Sequence, residues 1–589
     1  MAIVLYFNPK IPDPFNDSKF WILLLGAAWL SGWLLSTLRK SKLTDLPIIY
    51  KLAGFMFLSL TFSFVLSDNK FKAIFGDFQR RNGYFTYVAL LVFLLTVFVT
   101  FSNSFVKLFS NFILFISVIE SGYGFLQSIG RDPVPWKYQF NPVIGTLGNP
   151  NFSSAVMSIL SILLLIEVLN RQTHKYRKFC FSSVAIFQIY VIYCTKASQG
   201  LISLILGLAT VIALSLIRKN QKLLAPIFIL GSLGMFVLVL ALNNKGPLAS
   251  MIYKSTISIR GYYWRAGIEM FKHNIFTGVG IDNYNDFFKQ FRELKYAQEY
   301  GYQITSSNAH NIYIQFFATG GLFLGISILL LFFVPVYLIF QNIRNLTSTQ
   351  IIFIAAWVAY LSQAFVSIDN IGISILGWSI LGILYKLLYL RSDVHSSNIP
   401  QNQKIKKIQQ AMDIDLVQIV SSVTLLIFTL LLVSNFYVTA TKMYRINGLY
   451  NGKVPSTYLI KEIDEISDRA LIDPTYRVLI ASYLYNLGEY ANATSIVNQS
   501  LEQNPRNLDA LALKSQLIEQ QQSWQDAVQN RLTIQKLDPW NAQNLLSLGK
   551  IYLQMGDSEK SKIYFLETIN LAKNQPESEQ AKKLILNVK

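Results

Sequence analysis

His310 stands in the stretch "SSNAHN" (306–311), and the apolar run "IYIQFFATGGLFLGISILLLFFVPVYLIF" follows at once. It is one of only 4 histidines in 589 residues. An imidazole has an ordinary pKa near 6.5, so its neutral form can take a proton from a hydroxyl at working pH. At a helix start the positive end of the dipole lowers that pKa, and nearby cations push the same way. Two roles fit such a residue: a general base for an acceptor hydroxyl, or a histidine that caps the span or bonds within its loop.

A second group of residues is cationic. Arg80 and Arg81 lie in "FGDFQRRNGYF", Lys196 in "TKASQG", and Arg260 and Arg265 in "SIRGYYWRAGIEM". The arginine fork binds phosphate bidentately, and several forks together hold a diphosphate. The plainer alternative pairs these cations with lipid head groups or with acids such as Asp77 and Glu269. These stretches contain no Asp-x-Asp and no tight His/Asp/Glu cluster at metal-ligand spacing. A metal-dependent transferase is therefore disfavoured, and no metal or other cofactor is expected. Glu120 sits near the outer end of an apolar run, where an ionisable group is either functional or paired with an arginine.

The elements that must position these residues are spans. The chain is 52% hydrophobic and 14% charged, against about 25% charge in soluble domains. A bilayer needs about 20 apolar residues per helical span. About twelve runs qualify, near 21–38, 47–66, 85–102, 106–126, 152–169, 179–195, 198–217, 223–243, 312–340, 350–368, 371–390 and 414–436. The first follows a polar, proline-containing stretch, so no cleavable leader is expected. Residues 437–589 hold 17 Lys+Arg against 16 Asp+Glu, leaving 35 against 17 in residues 1–436. The formal charge of +19 thus belongs to the membrane half and does not mark a nucleic-acid surface. Cys180 and Cys194 share one predicted span, so no disulfide framework is implied.

Short basic loops face the cytoplasm. "LRKSK" (38–42), "RQTHKYRK" (171–178), "IRKNQK" (217–222), "QNIRN" (341–345) and "QNQKIKK" (401–407) all fall on one side of a twelve-span chain. Both termini, His273, His310 and the cations above then face outward, and a long outer loop over about 245–311 holds Arg260, Arg265 and both of these histidines.

After residue 436 the composition turns polar and nearly neutral. Turns recur as "IDPTY", "QNPRN" and "LDPWN", with intervals of 31 and 34 residues between Pro474, Pro505 and Pro539. Those intervals fit tetratricopeptide repeats, whose period is about 34. The expected architecture is all-α: a polytopic helix bundle over 1–436, then an extracytoplasmic α-solenoid over 437–589. The solenoid is read either as a docking site for an acceptor or protein partner or as a stabilising cover.

Four stretches together resemble the superfamily of O-antigen ligases, O-antigen polymerases and bacterial O-oligosaccharyltransferases. "GDFQRRNGYF" is similar to its Gly…Arg-x-x-Gly element through Gly76, Arg80 and Gly83. "GTLGNPNFSSA" resembles its Gly-Thr-x-Gly-Asn-Pro-Asn signature. "SIRGYYWRAGIEMFKHNIFTGVGIDNY" resembles its Arg…Trp…Gly-x-Gly loop through Arg260, Trp264, Gly278 and Gly280. "SNAHNIYIQFFATGGLFLG" is similar to its Ala-His-Asn element through His310 and Asn311. The resemblance implies a membrane glycosyltransferase that takes a glycan from a polyprenyl-diphosphate-linked donor. Transfer would be metal-independent and inverting, to a lipid, protein or glycan acceptor, at the outer face of the inner membrane. By the same resemblance His310 is the base and Arg260 the main diphosphate ligand, with Arg80 supporting it. Arg265, Lys196 and Gln199 complete the expected contacts. Gln199 is a departure, since the family often shows Ser-Arg-Gly where this chain reads Ser198-Gln199-Gly200. Glutamine can bond a phosphate but brings no charge, and Lys196 stands ready to supply it. The competing readings are a repeat-unit polymerase, a flippase for lipid-linked oligosaccharides, and a mere anchor for the repeats. Tyr262, Tyr263 and Trp264 are candidates for stacking on sugars.

Overall fold

A chain segment in lipid must satisfy every backbone donor and acceptor internally, which leaves the helix as the choice for isolated apolar runs. The computed structural model describes residues 1–39, 46–136, 141–242, 245–246, 249, 255–396, 416–452, 455–467, 471–573 and 575–586. No strand forms among them. After the single-turn α1 (Ala2–Leu5) come α2 (Asn16–Arg39), α3 (Ile48–Leu66), the short α4 (Lys70–Phe75), α5 (Tyr84–Thr100) and α6 (Asn103–Ser128). They are followed by α7 (Pro150–Leu169), α8 (Lys175–Cys194), α9 (Ser198–Lys219) and α10 (Leu224–Leu242). Three helices then lie outside the apolar runs: α11 (Ser255–His273), α12 (Tyr284–Phe291) and α13 (Leu294–Tyr300). The remaining long helices are α14 (Ile312–Asn342), α15 (Ser348–Val366), α16 (Ile371–Ser396) and α17 (Leu416–Asn451).

All twelve apolar runs thus coincide with helices. Among the described residues 9 of these are long and apolar enough to cross a membrane. The difference from twelve has local causes. The Tyr84–Thr100 and Gln221–Gly234 helices are apolar but shorter. Helix α8 begins on Lys175, Arg177 and Lys178. The basic stretches "LRKSK" and "QNQKIKK" lie largely outside the described residues.

Helices α7 and α16 are the most enclosed spans, and α17 lies at the edge. Small residues let the enclosed helices approach. Ser158 Oγ donates to Gly200 O at 2.7 Å, and a Cβ on Gly207 would meet Ile162 and the Ala355 carbonyl. Such interhelical hydrogen bonds contribute on average about 0.6 kcal/mol each, so close packing does more than polarity here. Helix α14 bends at Gly321, whose φ of 69° lies in the left-handed region. There Leu322 N–H donates to Ile275 O (2.7 Å) and Val279 N–H to Ala318 O (3.0 Å), so the bend seats the loop that follows α11.

The 36 residues of α17 extend about 54 Å, well beyond the ~30 Å of a hydrocarbon core. Its end packs on α18 (Ser456–Ser467), and three helix pairs follow. These are α19 (Pro474–Asn486) with α20 (Tyr490–Gln503), α21 (Leu508–Gln520) with α22 (Trp524–Leu537), and α23 (Ala542–Gln554) with α24 (Ser558–Leu571), closed by α25 (Pro576–Ile585). Small residues seat each pair, as where Gly549 lies against Phe565. The solenoid rests on the α12–α13 segment, with Ala297 and Tyr302 sharing a small core with Ala542 and Ala572.

Candidate active site

His310 is fixed by its neighbours' amides before any substrate is considered. Its N–H donates to Asn308 Oδ1 (2.8 Å), Ala309 N–H to Gln315 Oε1 (2.9 Å), and Ile314 N–H to Asn311 Oδ1 (3.0 Å). Asn311 therefore caps α14, and the capping alternative for His310 falls away. His310 itself has φ of 51°. A non-glycine residue in that region costs on the order of 1–3 kcal/mol and is kept where the surroundings over-determine it. Its ring stacks on Tyr263 of α11, with centroids 5.3 Å apart. Tyr263 in turn packs on Phe288 and Tyr296, so the outer helices aim the imidazole. Tyr262 and Tyr263 are buried in that aromatic core and do not offer faces to sugars. Trp264 lies edge-on to Phe365.

Arg80 and Arg260 are the two cations that act on His310. Burial, then Arg260, then Arg80 push its pKa down to about 3. Arg80 rides on a tight loop between Gly76 and Gly83. Asp282 Oδ2 accepts from Asp77 N–H (2.6 Å) and Asn82 N–H (3.2 Å), tying that loop to the stretch after Gly280. Asn82 Nδ2 donates to Asp369 O at 2.7 Å, tying it also to the start of α16. The buried Nε of Arg80 has no hydrogen-bond partner among the described residues. Burial lowers the pKa of both Arg80 and Arg260. The acids expected to neutralise the outer cations have closer partners: Asp77 pairs with Lys72 (3.2 Å), though its charge still acts on Arg80, and Glu269 pairs with Lys272 (2.7 Å). Arg81, beside Arg80, is consumed structurally by Asp17 (2.5 Å) and Asp473 (2.9 Å).

The other expected contacts have surroundings of their own. Arg265 is exposed, pairs with Glu293 (2.5 Å) and lies over the Tyr262 ring. Lys196 is exposed at the end of α8, and neither it nor Arg265 is among the charges that shift His310. Gln199 is buried in the first turn of α9, and both its amide atoms lack partners among the described residues. Glu120 meets no arginine there either. It accepts from Thr146 Oγ1 (2.6 Å) and Ser153 Oγ (3.0 Å), holding the "GTLG" turn onto α6 and α7.

Two carboxylates line a small cavity together with His310, Asn82 and Tyr87. Burial, with Asp77 next, pushes Asp282 up to about 7, and burial pushes Asp369 up to about 6. Tyr87 OH donates to Asp369 Oδ2 at 3.2 Å. Sequence reasoning passed over both acids, although Asp282 lies two residues beyond Gly280 in a stretch already singled out. Among the described residues no group of three or more His, Cys, Asp or Glu is placed to hold a metal ion.

A neutral imidazole acted on by two arginines thus sits on the loop that opens α14. Residues 183–330 match the O-Antigen ligase family model. That stretch is similar to O-antigen ligases. That stretch contains Lys196, Gln199, Arg260 and His310, whereas Arg80 comes from outside it. Residues 542–575 match the Tetratricopeptide repeat model, on the α23–α24 pair. No curated protein is significantly similar to the chain. With its apolar helices, the match indicates a multi-pass membrane protein and supports a ligase- or polymerase-type glycosyltransferase.

Proposed function

We propose that the protein transfers a glycan from a polyprenyl-diphosphate-linked donor to an acceptor hydroxyl at the outer face of the inner membrane. The membrane unit spans 1–436 and the repeat unit 437–589, with the repeats extracytoplasmic. His310 takes the proton of the acceptor hydroxyl as its oxygen attacks the anomeric carbon. The bond from that carbon to the diphosphate breaks, and the polyprenyl diphosphate leaves with the electron pair. Attack opposite the leaving group inverts the anomeric centre. Arg260 and Arg80 hold the diphosphate and stabilise its growing charge, so no metal is needed. Gln199 adds an uncharged contact, and Lys196 and Arg265 stand further out as steering charges.

The observation that carries this reading is the pairing of a neutral His310 with two arginines that form no salt bridge among the described residues, Asp77, Asp13 and Asp282 acting on Arg80 only from farther off. Arginines without a direct counter-ion at a half-buried site are costly until an anion arrives. That anion would also cancel the charge that depresses His310, raising its pKa toward the range where a general base works best. The acceptor, whether lipid, protein or another repeat unit, decides between ligation and polymerisation, and the donor chemistry is common to all three.

The test uses full-length protein in lipid with a polyprenyl-diphosphate-linked glycan pool, following release of the diphosphate lipid with and without chelator. Release that survives chelation and vanishes in His310→Ala supports metal-free transfer. Release unchanged in His310→Ala removes the base from the scheme. Lipid scrambling without release would instead identify a flippase.

A further inference from the structure

Each proline turn of the repeats sends the residue before its proline into the membrane half. Asp473, ahead of Pro474, pairs with Arg81 (2.9 Å). Asn504, ahead of Pro505, donates from Nδ2 to Asp286 Oδ2 (3.1 Å). Asp538, ahead of Pro539, pairs with Arg292 (2.6 Å) and Lys289 (3.5 Å). Arg292 and Asp538 are fully buried, and Arg81 and Asp473 nearly so.

The receiving residues are those next to the site. Arg81 neighbours Arg80, and with its guanidinium held by Asp17 and Asp473 the two arginine side chains have separate fates. Arg292 donates from Nη1 to Tyr302 O (2.8 Å) and Ile304 O (3.0 Å), so the guanidinium that meets Asp538 also clips the segment leading to His310. Removing charge from water is expensive, and apolar residues of similar volume often serve stability as well. Two buried pairs, both at one interface and both next to the same site, therefore call for a role in placement.

We propose that Asp473 and Asp538 are positioning residues of the transfer site: acting through Arg81 and Arg292, the repeat domain sets the Arg80 loop and the His310 loop. The solenoid is on this view a built-in brace for the loops of the active site, distinct from a separate receptor for the acceptor. The inference rests on the transfer reading above.

Asp473→Asn and Asp538→Asn, in the full-length chain in lipid, provide the test. Asp473 Oδ1 caps α19 by accepting from Thr475 N–H (2.9 Å). Asparagine caps equally well, so Asp473→Asn removes the charge and leaves the cap. With the polyprenyl-diphosphate glycan pool, kcat/KM for the donor should fall at least about tenfold while the acceptor KM stays unchanged. Amide exchange should quicken in 77–82 for Asp473→Asn and in 302–308 for Asp538→Asn. The acid limb of the pH profile should also move in Asp473→Asn, because Arg80 shifts among the groups facing His310, which include Arg260, Tyr263, Asp282 and Asp369. Asp473→Glu should recover part of the rate. Unchanged donor kinetics with faster exchange would reduce the pairs to structural contacts. A rise in acceptor KM alone would make the solenoid a receptor. Absence of release by the wild type would sink the transfer reading, while the exchange rates would still report whether the clamp holds the loops.

Discussion

The depressed pKa of His310 has a definite sign for activity. Its folded-state value of about 3 lies below the ordinary 6.5, so the neutral form persists as pH falls until near 3. For the free enzyme, kcat/KM should show no loss from histidine protonation between pH 7 and about 5. Removing Arg260 takes away the larger of the two charges acting on the ring, so Arg260→Gln should move the acid limb upward along with a lower maximum. A pH–rate profile of wild type and variant measures both. Arg260→Lys keeps the charge and loses the fork, so its donor kcat/KM should lie between wild type and Arg260→Ala, with Arg260→Ala down roughly 10²–10³-fold as for other preorganised charge stabilisers. His310, Arg80 and Arg260 were legible because polar residues are rare near apolar runs and bear an obvious chemistry. Arg265 and Lys196 looked the same on paper. What separated Arg265 was Glu293, 28 residues away, and no local pattern announces such a partner.

Among the elements, helices were read from hydropathy almost completely, and their departures from regularity were not. The bend at Gly321 depends on a backbone approach between α14 and the loop after α11. A Cβ there would meet the Phe276 carbonyl, and φ of 69° is unfavourable for alanine. Gly321→Ala should cost about 1–3 kcal/mol through overpacking, seen as a lower melting temperature, and slow transfer by loosening the loop that bears Asp282. The repeats offer the opposite case. Gly488 and Gly556 turn the first and third helix pairs with positive φ, whereas Gln522 holds φ of 57° in the second. Left-handed backbone costs roughly 1–2 kcal/mol outside glycine. Gln522→Gly should therefore stabilise the solenoid by about 1 kcal/mol in a thermal melt, the gain being trimmed by glycine's larger unfolded-state entropy. No change would mean that the surroundings already relieve that turn.

At the scale of the whole molecule, the two halves are joined by charge as much as by apolar contact. The sequence showed the halves through their composition, and the period of the prolines showed the solenoid. It could not show that Asp473, Asn504 and Asp538 face the membrane half, because in isolation each reads as an ordinary turn residue ahead of proline. Arg292 tests what the joint contributes. Its guanidinium serves Asp538 and the backbone carbonyls of Tyr302, Ile304 and Trp540, and Trp540 Nε1 donates to the Arg292 carbonyl at 3.2 Å. Arg292→Ala leaves the buried Asp538 carboxylate with Lys289 (3.5 Å) as its cationic partner, so the loss should approach the ~3–5 kcal/mol typical of a broken buried pair. Amide exchange across 542–571 should quicken and the melting temperature fall. The double variant Arg292→Met with Asp538→Leu removes both charges of that pair and should recover much of the stability, short of the part owed to the backbone carbonyls and to Lys289, which loses its carboxylate. If placement is the purpose of the pair, its turnover should stay low after stability returns. Turnover that returns with stability would make the pair a matter of cohesion alone.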